Sequence, residues 1–206
     1  MPLLAFLFAL WFGSSPLAAA EPGAIESDLV ITVQGKEQHV SLNQALSLLD
    51  ITSASIALID EGRIAFARAY GKDATPDTLY QAASLSKFVA AIGAMRLVES
   101  GTLALSDVWQ GFTSIFIHRD TLREVLTRQN GGPYGLGAAV AGDGASLVLM
   151  KRGQNVGYQG HLILYPASEQ GMVVMTNSDN ASKLATALIK RAAEACGWSE
   201  LSPLAD

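Results

Sequence analysis

Ser55-Ile-Ala-Leu-Ile59-Asp-Glu-Gly-Arg63-Ile-Ala-Phe-Ala-Arg68 reads as two short strands. Asp60-Glu61-Gly62 between them is a turn, so the pair forms a hairpin. A hairpin commits the sheet to antiparallel pairing, and the rest of the chain follows that lead. Upstream, Ser41 to Leu49 has helical spacing, with Leu42, Ala45, Leu46 and Leu49 on one face. Downstream, Gly71 to Thr78 is polar and loop-like. Ser84 to Glu99 predicts a helix with Val89, Ile92, Met95 and Leu97 as its apolar positions and Gly101 as its stop. Thr121 to Leu126 is a short helix candidate. Leu147 to Lys151, Gly160 to Tyr165 and Met172 to Thr176 read as three further strands. Ala181 to Cys196 predicts an amphipathic helix. The order is helix, two strands, helix, three strands, helix. Strands joined by short turns, with helices before and after, imply an α+β fold: an antiparallel sheet with helices packed on it.

Composition narrows the function. The chain has 206 residues, half of them hydrophobic and 16% charged, enough for a core of one domain. A net charge of -5 argues against nucleic acid, whose binders show a basic stripe. One cysteine, Cys196, excludes an intramolecular disulfide framework and a cysteine-rich zinc site. Three scattered histidines (His39, His118 and His161) offer no paired ligand spacing, so no metal and no cofactor is expected. Leu3 to Phe12 is a short apolar run followed by Ser14, Ser15, Pro16 and Ala18-Ala19-Ala20. That pattern predicts a signal peptide over 1–20, cleaved near Ala20, although no Lys or Arg precedes the run. It is too short for a comfortable membrane span, which needs about 20 apolar residues. The alternative is a retained anchor. Export places the mature domain, 21–206, in a periplasm or outside the cell.

The chemistry centres on Tyr80-Gln-Ala-Ala-Ser84-Leu-Ser-Lys87. Residues three apart share a helix face, so the Lys87 amine can reach the Ser84 hydroxyl. A serine hydroxyl is a weak nucleophile and needs an adjacent base. At a helix start its own N–H lacks an intrahelical partner and can face a developing oxyanion. With 18 serines and 6 lysines, about half of one such pair is expected by chance, so the motif alone is weak. Taken by itself it reads more readily as a serine helix cap beside a solvated lysine.

The neighbours add weight. The hairpin from Ile56 to Gly71, then Thr78 to Lys87, then Leu97-Val-Glu-Ser-Gly-Thr-Leu-Ala-Leu-Ser-Asp107 resemble the serine β-lactamase and penicillin-binding-protein superfamily. The nearest likeness is to the branch holding class C β-lactamases, D-alanyl-D-alanine carboxypeptidases and family VIII esterases. Further on, Pro133-Tyr-Gly-Leu-Gly137, Lys151-Arg-Gly-Gln-Asn-Val-Gly157, Tyr165-Pro166 and Met172 to Asn177 are similar to that family's C-terminal block. The resemblance divides the mature chain into an N-terminal block, 21–110, and a C-terminal block, 111–206. It implies Ser84 as nucleophile and Lys87 as its base, acting on a β-lactam, a D-Ala-D-Ala peptide or a small ester. It implies Lys151 as a charge anchor, Gly153 as the point of close substrate approach, and the N–H groups of Ser84 and Gln154 as oxyanion donors. Arg152 departs from the family, which carries Thr, Ser or Gly there, and could block substrate or bind its carboxylate.

One part of the pattern is missing. The family places a Tyr-x-Asn or Tyr-Ser-x motif between the two blocks, and this chain has no tyrosine between Asp107 and Pro133. The mostly helical region that forms one cleft wall is largely absent near Trp109 to Ile117. Tyr134 and His118 are lesser substitutes for the lost base. The alternative function is therefore a catalytically impaired homologue that binds a peptidoglycan-like ligand or a partner. Apolar surface bared by the loss would favour self-association.

Overall fold

The computed structural model describes residues 21–104, 106–107, 134–135, 137–142 and 144–198. The predicted signal peptide, the helix candidate at Thr121 to Leu126, and His118 lie outside those residues. Helix α1 (Pro22–Glu26) leads into the hairpin of β1 (Leu29–Val33) and β2 (Lys36–Val40). Then come α2 (Leu42–Leu48), β3 (Ser53–Asp60), β4 (Arg63–Gly71) and α3 (Leu85–Glu99). Strands β5 (Tyr134–Gly135), β6 (Ala138–Ala141), β7 (Val148–Asn155), β8 (Tyr158–Tyr165) and β9 (Gln170–Thr176) follow, then α4 (Ala181–Cys196). Strands β3 to β9 form one antiparallel sheet in the order β4-β3-β9-β8-β7-β6-β5. The α+β expectation holds.

The predicted elements occur where their signals stand, with ends set by local chemistry. Ser41 caps α2 through a capping box: the Gln44 N–H donates to Ser41 Oγ while Gln44 Oε1 accepts from the Ser41 N–H at 2.8 Å. Glu61 and Gly62 both take positive φ, 49° and 69°, as a two-residue hairpin with native strand twist requires. The left-handed Gly197 closes α4. The β1–β2 hairpin, α1, β5 and β6 were not foreseen. Lys36-Glu-Gln-His-Val40 is mostly polar and exposed, so its strand character comes from pairing with β1 rather than from its own pattern.

The sheet's two faces differ. Ala54, Ile56 and Leu58 of β3, Ile163 and Tyr165 of β8, and Met172 and Val174 of β9 are buried in one core with Leu184, Leu188 and Ala192 of α4. Helix α2 and the β1–β2 hairpin seal its margin. Alternate residues, such as Ala57, Leu162 and Val173, point to the other face and are only half-buried. Helix α3 covers part of that face. Here the sequence reading needs correction: Val89, Ile92 and Leu97 are exposed, and Leu85, Phe88 and Ala91 are buried instead. The helix is apolar on most sides, so periodicity could not select the packed face. The stretch that approaches the sheet, from Leu85 to Ala91, decides it.

Candidate active site

Segment Gln81–Lys87 lies alongside β7 and runs opposite to it. At one end the Asn155 Nδ2 donates to Gln81 Oε1 at 2.7 Å. In the middle, Gly153 faces the backbone of the α3 start. A methyl on Gly153 would collide with the Ala82 carbonyl and stand 3.1 Å from Ser84 N. At the other end, Lys151 is close enough to Lys87 to feel its charge. Gly160, the cross-strand partner of Gly153, is equally tight: a methyl there would press on Leu85 at 2.6 Å. Two opposed glycines on β7 and β8 thus let the helix start sink onto the sheet.

Ser84 sits at the N-cap position of α3, yet its hydroxyl makes no capping bond. Its Oγ instead accepts from Lys87 Nζ at 2.9 Å. This removes the reading of Ser84 as an ordinary cap. The Ser84 N–H, at the open end of the helix, makes no hydrogen bond among the described residues. Ala83, just before it, holds φ at +46°, a left-handed conformation that costs a non-glycine residue about 1 kcal/mol. That kink turns the chain sharply from the Tyr80–Ala82 approach into α3.

The second cation is Lys151, half-buried on the same sheet face as Gly153. Its pKa lies below the ordinary lysine value, first because of burial and then because of the neighbouring Lys87 charge. Gln154 follows Gly153 on β7. Strand β6 pairs with β7 only as far as Met150.

Arg152 is corrected by the parity of the strand. Its neighbours Lys151 and Gly153 face α3, so Arg152 faces the opposite side, paired with His161 and near Thr186 and Ile189 of α4. The guanidinium neither blocks the site nor reaches a substrate at Ser84. Tyr134 lies on β5 opposite Ala139, and its side chain is outside the described residues. Gly137 packs against the other end of the segment, its hypothetical Cβ 3.3 Å from the Lys87 carbonyl oxygen. Among the described residues no cluster of His, Cys, Asp and Glu could hold a metal. No helix there is long and apolar enough to cross a membrane.

Sequence reasoning did not single out Gln81, Ala83 or Asn155. The first and last are common surface residues, and nothing marks Ala83 as left-handed where glycine would have. Their roles emerge only once β7 lies beside the α3 start.

The sheet, the helix start with Ser-x-x-Lys, and the second lysine on a neighbouring strand make a candidate serine-lysine site on an α+β scaffold. The Beta-lactamase family model matches residues 44–145, a span that includes Ser84, Lys87 and Gly137 and stops before Lys151. This match supports the serine β-lactamase and penicillin-binding-protein superfamily as the family of the chain. No curated protein matches it. Among solved structures, a crystal structure of SurE with D-Leu superposes with a TM-score of 0.55 at 14% identity, over 74% of this chain and 73% of that one. A second crystal structure of SurE gives 0.52 at 12% identity, over 74% of each. At these identities the likeness is one of fold.

Proposed function

We propose that this chain is an exported serine hydrolase that forms an acyl-enzyme at Ser84. The observation that carries the reading is the 2.9 Å approach of Lys87 Nζ to Ser84 Oγ, with the serine released from capping. Ser84 Oγ attacks the carbonyl carbon of a β-lactam, a D-Ala-D-Ala peptide or a small ester. Its proton passes to the Lys87 amine as the new C–O bond forms. The negative charge on the carbonyl oxygen is met by the N–H groups of Ser84 and Gln154. Collapse breaks the bond to the leaving nitrogen or oxygen, which takes the proton from Lys87. Water then adds to the ester, and Ser84 leaves with its proton restored. Lys151 supplies positive charge for a substrate carboxylate.

A second reading has its own support. Lys87 is exposed on the described surface, as is Val89 two residues on. A wet site weakens both positioning and electrostatics. Under this reading the chain is an impaired homologue that binds a peptidoglycan-like ligand, with self-association through the α3 surface. A fluorescent penicillin, a chromogenic cephalosporin and a p-nitrophenyl ester separate the two, with Ser84→Ala as control. A mass adduct on Ser84 together with Ser84-dependent turnover supports the hydrolase. Binding with neither supports the impaired homologue. The N-terminus of protein recovered from a periplasmic fraction tests export and cleavage after Ala20.

A further inference from the structure

Gln81 and Asn155 join the two sides of the site. Each belongs to a segment with its own anchor, and both anchors lead to Asn177–Asp179. On the Gln81 side, the Tyr80 hydroxyl donates to Ser53 Oγ at 3.0 Å, and the Ser53 N–H donates to Asn177 Oδ1 at 2.9 Å. The approach to Ser84 is thereby tied to the start of β3. On the Asn155 side, the β7–β8 turn is held by Asp179: its Oδ1 accepts from the Gly157 N–H at 3.0 Å, and its carbonyl accepts from Gln159 Nε2 at 2.6 Å. The Gln81–Asn155 bond of 2.7 Å closes the gap between these two segments.

The gap has opposing forces across it. At Gly153 the backbones already touch, and contact alone resists compression but not opening. Ala83 holds a left-handed conformation that stores strain in the approach to Ser84. An attractive tie at the far end, three residues before Ser84, resists opening. We infer that Gln81 and Asn155 form a positioning clamp that fixes the distance between the Ser84 N–H and β7. Neither touches the reacting atoms. They act through Ala82 and Ala83 on one side and Gln154 on the other. The clamp rests on the hydrolase reading for its effect on chemistry, while its effect on the backbone stands apart from it.

Two readouts test it on the mature chain. The first is the acylation of Ser84 by p-nitrophenyl acetate, resolved into the maximal rate constant and the half-saturation concentration. The second is hydrogen exchange at the amides of Ala83 to Ser86, which needs no reaction. A side-chain hydrogen bond of ordinary net strength corresponds to a loss of about fivefold. Asn155→Ala and Gln81→Ala are each expected to slow acylation about fivefold at unchanged half-saturation and to speed exchange by a similar factor. Gln81→Glu keeps an acceptor for Asn155 Nδ2 and is expected to retain wild-type values in both. The double change Gln81→Glu with Asn155→Asp opposes two carboxylates and is expected to match or exceed the alanine variants. Equal melting temperatures across the set exclude general unfolding as the cause. Unchanged exchange in both alanine variants overturns the clamp, as does a Gln81→Glu variant as impaired as Asn155→Ala. If the wild-type chain does not acylate at all, the hydrolase reading fails, and the exchange data alone then decide the clamp.

Discussion

Arg152 and His161 stand opposite each other across the β7–β8 ladder, on the sheet face turned away from Ser84. His161 is 5% exposed, and burial, reinforced by the Arg152 charge, lowers its pKa from 6.5 to about 4. The folded state therefore keeps the ring neutral where the unfolded chain would protonate it. The unfolded state binds more protons between these limits, so stability falls as pH drops from 6.5 to about 4 and is flat with respect to this group below that. The full contribution is on the order of 3 kcal/mol. Urea unfolding of His161→Gln at pH 7, 5.5 and 4 is expected to show a shallower acid decline than wild type. An unchanged slope would mean that the ring does not carry the effect.

Glycine substitutions separate the packed from the open side of α3. Gly153→Ala drives a methyl into the Ala82 carbonyl and is expected to cost about 2 kcal/mol and to abolish Ser84 labelling. Gly93 lies mid-helix with nothing within 4 Å of a hypothetical Cβ. Gly93→Ala is expected to raise stability by about 0.5–1 kcal/mol through helix propensity alone, with labelling unchanged. Thermal melts and adduct yields on both variants check the contrast.

Tyr165 and Trp198 pack with ring centroids 5.1 Å apart and planes tilted by 47°, and neither the Tyr165 hydroxyl nor the Trp198 indole N–H has a partner among the described residues. Burial also pushes the Tyr165 phenol up to about 12. An unpaired buried hydroxyl costs more than it returns. Tyr165→Phe is accordingly expected to be neutral or stabilising by up to about 1 kcal/mol in denaturant titration. A loss greater than that would reveal a hydrogen bond the described chain does not provide.

The α3 surface yields a test in solution. Val89 is 67% exposed and Ile92 43%, on the helix that also carries Lys87. If copies associate through this surface, sedimentation should show mass rising with concentration. Val89→Lys with Ile92→Lys is expected to abolish that rise while leaving the fold's circular dichroism unchanged.

The outcome for the sequence reading follows from what each signal measures. Hairpin β3–β4, strands β8 and β9 and helix α4 were legible because turn residues and apolar periodicity are local. Ser84 and Lys87 were legible because one helical turn brings them together. The packed face of α3 was not, since Val89 and Ile92 are as apolar as Leu85 and Phe88. Arg152 looked like a residue of the site because its place in Lys-Arg-Gly was read along the chain. A strand presents alternate residues to opposite faces, and only the contacts of Gly153 and Gly160 with α3 show which parity faces Ser84.

Strands β3 and β9 lie side by side at the heart of the sheet, so residues 54–59 and 171–176 close on each other across more than half of the chain. That closure is a long loop in the entropic sense, and its cost rises only slowly with the number of residues enclosed. The sheet is therefore almost indifferent to how much chain runs between its two halves. Shortening the intervening stretch brings the partners closer in sequence and lowers contact order, which favours faster pairing. A lineage could trim or lengthen the region between Asp107 and Tyr134 with little penalty to assembly of the scaffold, and selection on such changes would act through the site they border.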